Sequence, residues 1–275
     1  MKFNFHTHSK FCDGVGELED YVVSAIEKGF GYLGFSGHAP VPFTNTFAIQ
    51  QEDMETYCNQ VNSLRRKYAD RIKLFLSLEI DYIPDVMNNF AEWKQRYDLD
   101  YVIGSVHLVK NPENGKLWFI DGGKVDAFDR GLAEVFGGDI RKGVEAFYKQ
   151  TERMILEEKP DIVGHWDKIK MNNKNRYFTE DEPWIQLLED NVLDALEQTS
   201  AVSEVNTRGL YKQRHTDFYP SQRLLRKIKQ RNLPVTISTD AHNPNEIDLY
   251  FDHAMLTLHE IGFTEFVHPY SLPKP

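Results

Sequence analysis

Seven short apolar runs, separated by amphipathic stretches, limit what this chain can fold into, because six of the seven stop on a histidine or a carboxylate. The first is Phe3-Asn4-Phe5-His6-Thr7-His8, where Phe3 and Phe5 alternate with polar neighbours in the two-residue period of a strand. His6 and His8 are two apart, so an extended backbone sends both imidazoles off one face. The later runs cover 32–38, 72–80, 101–107, 161–165, 201–206 and 235–240. They end on or beside His38, Glu79, His107, His165, Asn206 and the pair Asp240 and His242.

Segments of helical period lie between them. Leu18, Tyr21, Val22, Ala25 and Ile26 precede Gly29, and Met54, Tyr57, Val61, Leu64 and Tyr68 share one face. Val86, Phe90, Trp93 and Tyr97 do the same, as do the apolar positions of 144–158, 184–196, 223–229 and 250–261. The stretches 39–51 and 110–143 lack a clean period and read as loops over the site, with a helix resuming at 144. A proline-bearing tail closes the chain. No repeat, low-complexity block or linker divides it, so residues 1–275 read as a single domain.

Strand and helix alternating in this way predict a parallel α/β architecture. An open doubly wound sheet and a closed barrel both fit the alternation. A barrel brings the C-terminal ends of its strands to one face, whereas an open sheet spreads them along an edge. The polar strand ends therefore favour closure, and seven strands predict a (β/α)7 barrel.

The residue types point to a metal site. His6, His8, Asp13, His38, Glu79, His107, His165, Asp240 and His242 offer imidazole and carboxylate donors of the kind that zinc, manganese or iron use, without cysteine. Nine donors exceed the needs of one ion, so two or three divalent metal ions are expected, with a carboxylate such as Glu79 bridging two of them. Singly, a strand-end histidine serves equally as a structural hydrogen-bonding group, and an Asp in a turn or cap is commonplace. Repetition of the same placement carries the metal reading. His215, His253, His259 and His268 lack that placement and read as structural or surface residues.

The net charge of -10 argues against a sequence-independent nucleic-acid binder or an anionic-membrane binder, since phosphate backbones attract basic surfaces. A small phosphorylated substrate stays compatible, because local charge in a pocket can oppose the global sign. Cys12 and Cys58 have no C-x-x-C spacing and give no disulfide framework, as in a reducing compartment. With no signal-like opening and no apolar run of membrane-spanning length, a soluble cytoplasmic protein is expected. Oligomeric state leaves no sequence signal.

His6-Thr7-His8 with Asp13, Ser36-Gly37-His38, Leu78-Glu79-Ile80-Asp81, Gly104-Ser105-Val106-His107, Gly164-His165 and Ser238-Thr239-Asp240-Ala241-His242 resemble the polymerase-and-histidinol-phosphatase (PHP) family in order and spacing. The resemblance runs over 6–242, and chain length with Leu-Glu-Ile-Asp-Tyr and Ser-Val-His is most similar to the stand-alone histidinol-phosphatase branch. It implies a distorted (β/α)7 barrel with a trinuclear centre. His6, His8, Glu79 and Asp240 would hold the first ion, and Glu79, His107 and His165 the second. Asp13, His38 and His242 would surround the third. The implied reaction is hydrolysis of L-histidinol phosphate to L-histidinol and phosphate in histidine biosynthesis.

In that scheme a hydroxide shared by two ions attacks phosphorus, Asp240 or His242 supplies a proton through water, and Arg208 with Arg214 orients the phosphate. The chain departs from the family pattern at Ser77, where a glycine is expected, and at Arg208, which is as compatible with an ordinary surface position. Three other readings compete. One is the same site acting on a phosphotyrosyl peptide, a nucleotide or another monoester. Another is a metal-dependent amidohydrolase, which often needs a bridging modified lysine, and no lysine ends a core strand here. The last is an inactive metal-binding module, against which all nine ligand positions are filled.

Overall fold

Strand β3 (Lys73–Asp81) shows how the chain is layered: eight of its nine residues are buried, as in a parallel strand covered on both faces. The computed structural model describes residues 1–123 and 125–268, and the proline-bearing tail from 269 lies outside them. In chain order the elements are β1 (Lys2–Asn4), α1 (Leu18–Glu27), β2 (Phe30–Phe35), α2 (Met54–Lys67), β3, α3 (Phe90–Arg96), β4 (Tyr101–Ser105), β5 (Leu108–Lys110), β6 (Leu117–Phe119), α4 (Val125–Phe136), α5 (Ile140–Glu158), β7 (Ile162–Val163), α6 (Lys170–Asn173), α7 (Pro183–Glu197), β8 (Val202–Asn206), α8 (Arg208–Tyr211), α9 (Gln222–Gln230), β9 (Val235–Ser238) and α10 (Phe251–Ile261). Helices bury the faces their periodicity marks, such as Met54, Tyr57, Val61 and Leu64 on α2. No helix among the described residues is long and apolar enough to cross a membrane.

Seven strands pair in the order β1-β2-β3-β4-β7-β8-β9, every pair parallel. The first and last meet just beyond their own ends. His8 N donates to Ala241 O at 2.8 Å and Ala241 N donates to His6 O at 3.2 Å, closing the ring at the C-terminal edge. Below that seam, Asn4 Nδ2 donates to Thr239 Oγ1 at 2.6 Å, and Asn4 Oδ1 accepts from Thr239 N at 3.3 Å. The expected seven-stranded α/β barrel is the fold observed.

Inside the barrel, Tyr101 OH donates to Phe5 O, and the Phe5 ring meets Phe75 and Tyr101 edge-on at 5.6 and 5.9 Å. Gly34 makes this possible, because a Cβ there would overlap the Tyr101 hydroxyl. Gly34→Ala is therefore expected to cost about 1–3 kcal/mol through overpacking. At roughly 2–4 °C per kcal/mol for a chain of this size, thermal unfolding should show a drop of about 5 °C. Adding Tyr101→Phe, which removes the clashing oxygen, should recover part of it. Equal loss in the single and double variants would refute the steric account.

The segment 110–143 corrects the loop reading. It opens on the last residue of β5 and holds β6, its antiparallel partner, then α4 with Phe128, Leu132, Val135 and Phe136 buried, and α5 begins at Ile140 rather than near 144. The glycines gave the impression of a loop. Gly131 and Gly143 instead sit within helices, where a Cβ would collide with the indole of Trp118, which is fully buried and donates from Nε1 to Phe128 O at 3.0 Å.

Candidate metal centre

Seven of the nine sequence-marked residues lie just past a strand's C-terminal end, and Glu79 lies within β3 close to its end. His6 and His8 extend β1 from one face, their ring centroids 5.1 Å apart. His38 follows β2 and is bridged to Glu79 of β3 in parallel register. His107 lies two residues past β4, His165 two past β7, and Asp240 and His242 two and four past β9. Asp240 has φ +51°, a left-handed turn uncommon for a residue with a side chain, which stores strain of order 1 kcal/mol. Asp13 comes from the loop after β1.

Glu79 is the centre of the arrangement. Its Oε2 lies 3.1 Å from His6 Nε2, 3.4 Å from His8 Nε2 and 3.3 Å from His38 Nδ1. Its Oε1 lies 3.0 Å from His165 Nε2 and 3.7 Å from His107 Nε2, and accepts from Ser105 Oγ at 2.6 Å. Asp240 Oδ1 is 3.4 Å from His8 Nε2 and 3.8 Å from His6 Nε2. Around Asp13 Oδ1 stand His242 Nε2 at 3.2 Å, His8 Nδ1 at 3.7 Å and His38 Nε2 at 3.8 Å. All nine residues fall into overlapping groups whose donor atoms lie within 4.8 Å of one another. His38 falls between the second and third groups implied by the resemblance, and His8 between the first and third.

Two further carboxylates, not among the residues marked from sequence, set the rings. Glu204 of β8 has Oε1 2.6 Å from His6 Nδ1, while its Oε2 accepts from His165 N at 2.8 Å. Asp81 of β3 has Oδ1 2.6 Å from His107 Nδ1. A ring that donates from Nδ1 turns the lone pair of Nε2 inward, as metal-bound histidines require. A signal existed for both. Glu204 lies in a strand buried throughout, where an unpaired carboxylate is rare, and Asp81 shares the face of Glu79 by the two-residue period.

Inward-facing acceptors bear on whether a cation fits. His6 Nε2, His8 Nε2, His38 Nδ1 and Asp240 Oδ1 are buried and find no hydrogen-bond partner among the described residues, although the three nitrogens face Glu79 Oε2 within 3.4 Å and Asp240 Oδ1 faces His8 Nε2 at 3.4 Å. Lone pairs aimed at one another in a dry site are unfavourable unless a positive charge lies between them. Nitrogen and oxygen donors at these spacings fit a divalent transition metal.

The charges of the site act strongly on one another: burial lowers the His6 imidazole, but Glu204, Glu79 and Asp240 outweigh it and raise its pKa well above the ordinary value. Burial pushes the Glu79 carboxyl up, but His6, His38, His107 and His165 outweigh it and hold the group well below the ordinary carboxylate value. Asp240 is likewise held low against burial by His6, Arg208, His242 and Lys168. Burial, with His8 and Arg208 beside it, drives His242 down to about 3. For His107 burial is overcome by Asp81 and Asp121, and its pKa rises to about 9.

Above the ligands opens a cleft of about 220 Å³. Arg208, at the start of α8, is 11% exposed and lines it; Nη1 donates to Asp240 O at 2.5 Å and lies 2.6 Å from His242 Nδ1, so the ordinary surface position does not hold. Arg214 lines the cleft from a more exposed position. Lys168 and Asp121 also line it, joined at 2.8 Å. Neither was legible in the sequence, since both lie on loops without strand or helix period.

The PHP domain model matches residues 4–208. The histidinol-phosphatase of Bacillus subtilis strain 168 is 26% identical over 269 residues, covering 92% of this chain and 97% of that protein. Among solved structures, HisK from Listeria monocytogenes aligns with a TM-score of 0.80 at 21% identity, over 92% of this chain and 99% of the other. The histidinol phosphate phosphatase of Lactococcus lactis, solved with zinc, L-histidinol and phosphate, aligns with a TM-score of 0.67 at 21% identity, over 96% and 95%. The two structural likenesses establish the barrel fold.

Proposed function

This chain belongs to the PHP-domain family, and from that premise we propose that it is a metal-dependent phosphomonoesterase that hydrolyses L-histidinol phosphate to L-histidinol and phosphate in histidine biosynthesis. The observation that carries the reading is the ring of buried acceptors turned on one another around Glu79. The chain binds divalent metal; two or three ions of zinc, manganese or iron suit the donor set, with Glu79 shared. His6, His8, Glu79 and Asp240 would hold one ion and Glu79, His107 and His165 a second, and Asp13, His38 and His242 would hold a third. Bound divalent ions neutralise phosphoryl oxygens and acidify water.

The remaining work falls to the chain itself. Glu204 and Asp81 fix the orientation of His6 and His107. Arg208 offers N–H groups to a phosphoryl oxygen from the His242 side, and Arg214 adds positive charge from the rim. Asp240 and His242 both lack a proton at neutral pH, given the directions of their shifts. They can pass a proton from water to the leaving alkoxide, but they do not store one.

Phosphate release from L-histidinol phosphate, measured beside phosphotyrosine and nucleoside monophosphates with metal content read on the same sample, tests the proposal. Histidinol phosphate is expected to be the best substrate by at least about tenfold in kcat/KM, or roughly 1.4 kcal/mol. Dialysis against a chelator should bring release to background, and zinc, manganese or iron should restore it. Release from other esters but not histidinol phosphate would refute the substrate and leave the metal site standing.

A further inference from the structure

We propose that Lys168 contacts the phosphoryl group of the substrate from the His107 side of the cleft, as a second fixed cation beside Arg208; this rests on the phosphomonoesterase reading. Lys168 comes three residues after His165 and is only 6% exposed, yet its head lines the cleft rather than the protein interior. Nζ lies 2.8 Å from Asp121 Oδ2 and 3.3 Å from His107 Nε2. An ammonium has three N–H groups, and no other acceptor among the described residues is within reach of the third.

His107 Nε2 is the atom that would face a metal, because Nδ1 is taken by Asp81 at 2.6 Å. With that nitrogen turned to an ion it cannot accept from Lys168, and two of the three N–H groups are then without a protein acceptor. The ammonium also stands near that dication, and the single charge of Asp121, whose Oδ2 is 2.8 Å from Nζ and 3.8 Å from His107 Nε2, offsets only part of three positive charges. A phosphoryl group resolves both problems, because one oxygen takes the Lys168 N–H groups while another faces the metal. Asp121, on the loop between the β5–β6 hairpin and α4, holds the ammonium at the edge of the cleft, and its Oδ1 finds no hydrogen-bond partner among the described residues.

The test uses the metal-loaded chain with inorganic phosphate as probe. Calorimetric phosphate affinity, kcat and KM for phosphomonoesters, and metal content by mass spectrometry are measured for wild type, Lys168→Met, Lys168→Gln and Lys168→Arg. Glutamine can still donate to Asp121, so it serves where methionine does not fold. The neutral variants are expected to keep the wild-type metal content and to bind phosphate about 10- to 100-fold more weakly, with KM raised. Arginine should recover part of the affinity. Unchanged phosphate affinity in a folded neutral variant overturns the proposal while the phosphatase reading stands. Extra metal taken up by the neutral variants with unchanged phosphate affinity also overturns it, by showing Lys168 to be a substitute for an ion. A wild type that neither binds phosphate nor cleaves any monoester refutes the phosphatase reading and this inference together.

Discussion

Glu79→Ala is expected to lose phosphate release by about 10⁴-fold or more, equivalent to roughly 5.4 kcal/mol in the barrier, and to lose bound metal in the same sample. One carboxylate faces five histidines with its two oxygens, three through Oε2 and two through Oε1. Its removal leaves those imidazoles without the negative charge they share in a buried space. Glu79→Gln separates charge from shape. It should keep the fold, by circular dichroism and thermal melting, while still losing metal and activity. A glutamine variant with full metal content and undiminished turnover would end the claim that Glu79 bridges ions.

Glu204→Ala should have the second largest effect, and mainly on stability. The Glu204 carboxylate accepts from His165 N at 2.8 Å, from Asn206 Nδ2 at 3.1 Å and from Ser238 Oγ, and it meets His6 Nδ1 at 2.6 Å, all in full burial. Truncation leaves these groups unpaired together, a loss of about 3–5 kcal/mol as for a broken buried charge pair. Unfolding should then move down by roughly 10 °C. Glu204→Gln keeps the volume and should still fold, with metal affinity weaker by about 10- to 100-fold because the His6 ring is less firmly oriented. Chelator competition measures this, and wild-type metal affinity in both variants would show that Glu204 supports the barrel alone.

The strand ends explain how much could be read from the sequence. Parallel strands put their functional groups at one end, so a histidine or carboxylate closing an apolar run carries its position in its place in the chain. Eight of the nine candidate ligands were visible on that ground, with Asp13 added from a polar loop, and their number implied closure before any strand order was known. Adjacency across the barrel was hidden. Glu204 and His6 are 198 residues apart and meet through the curvature of the ring, with β9 between their strands. The partition of ligands was hidden for a similar reason, since His8 and His38 each offer two nitrogens in different directions. Helix α4 was obscured by glycines that admit Trp118 rather than break the chain. Lys168 lies outside any periodic element, so its position in the cleft depends on the loop that carries it.

The closing seam has a consequence for biosynthesis. The backbone of His6 and His8 bonds to Ala241, which stands between Asp240 and His242. The first ligands to leave the ribosome therefore wait for the last, with more than two hundred residues translated between them. A nascent chain that has not yet delivered β9 holds neither a closed ring nor the paired histidine and aspartate donors. Full metal capture is thus expected only once both ends of the barrel have been made and joined.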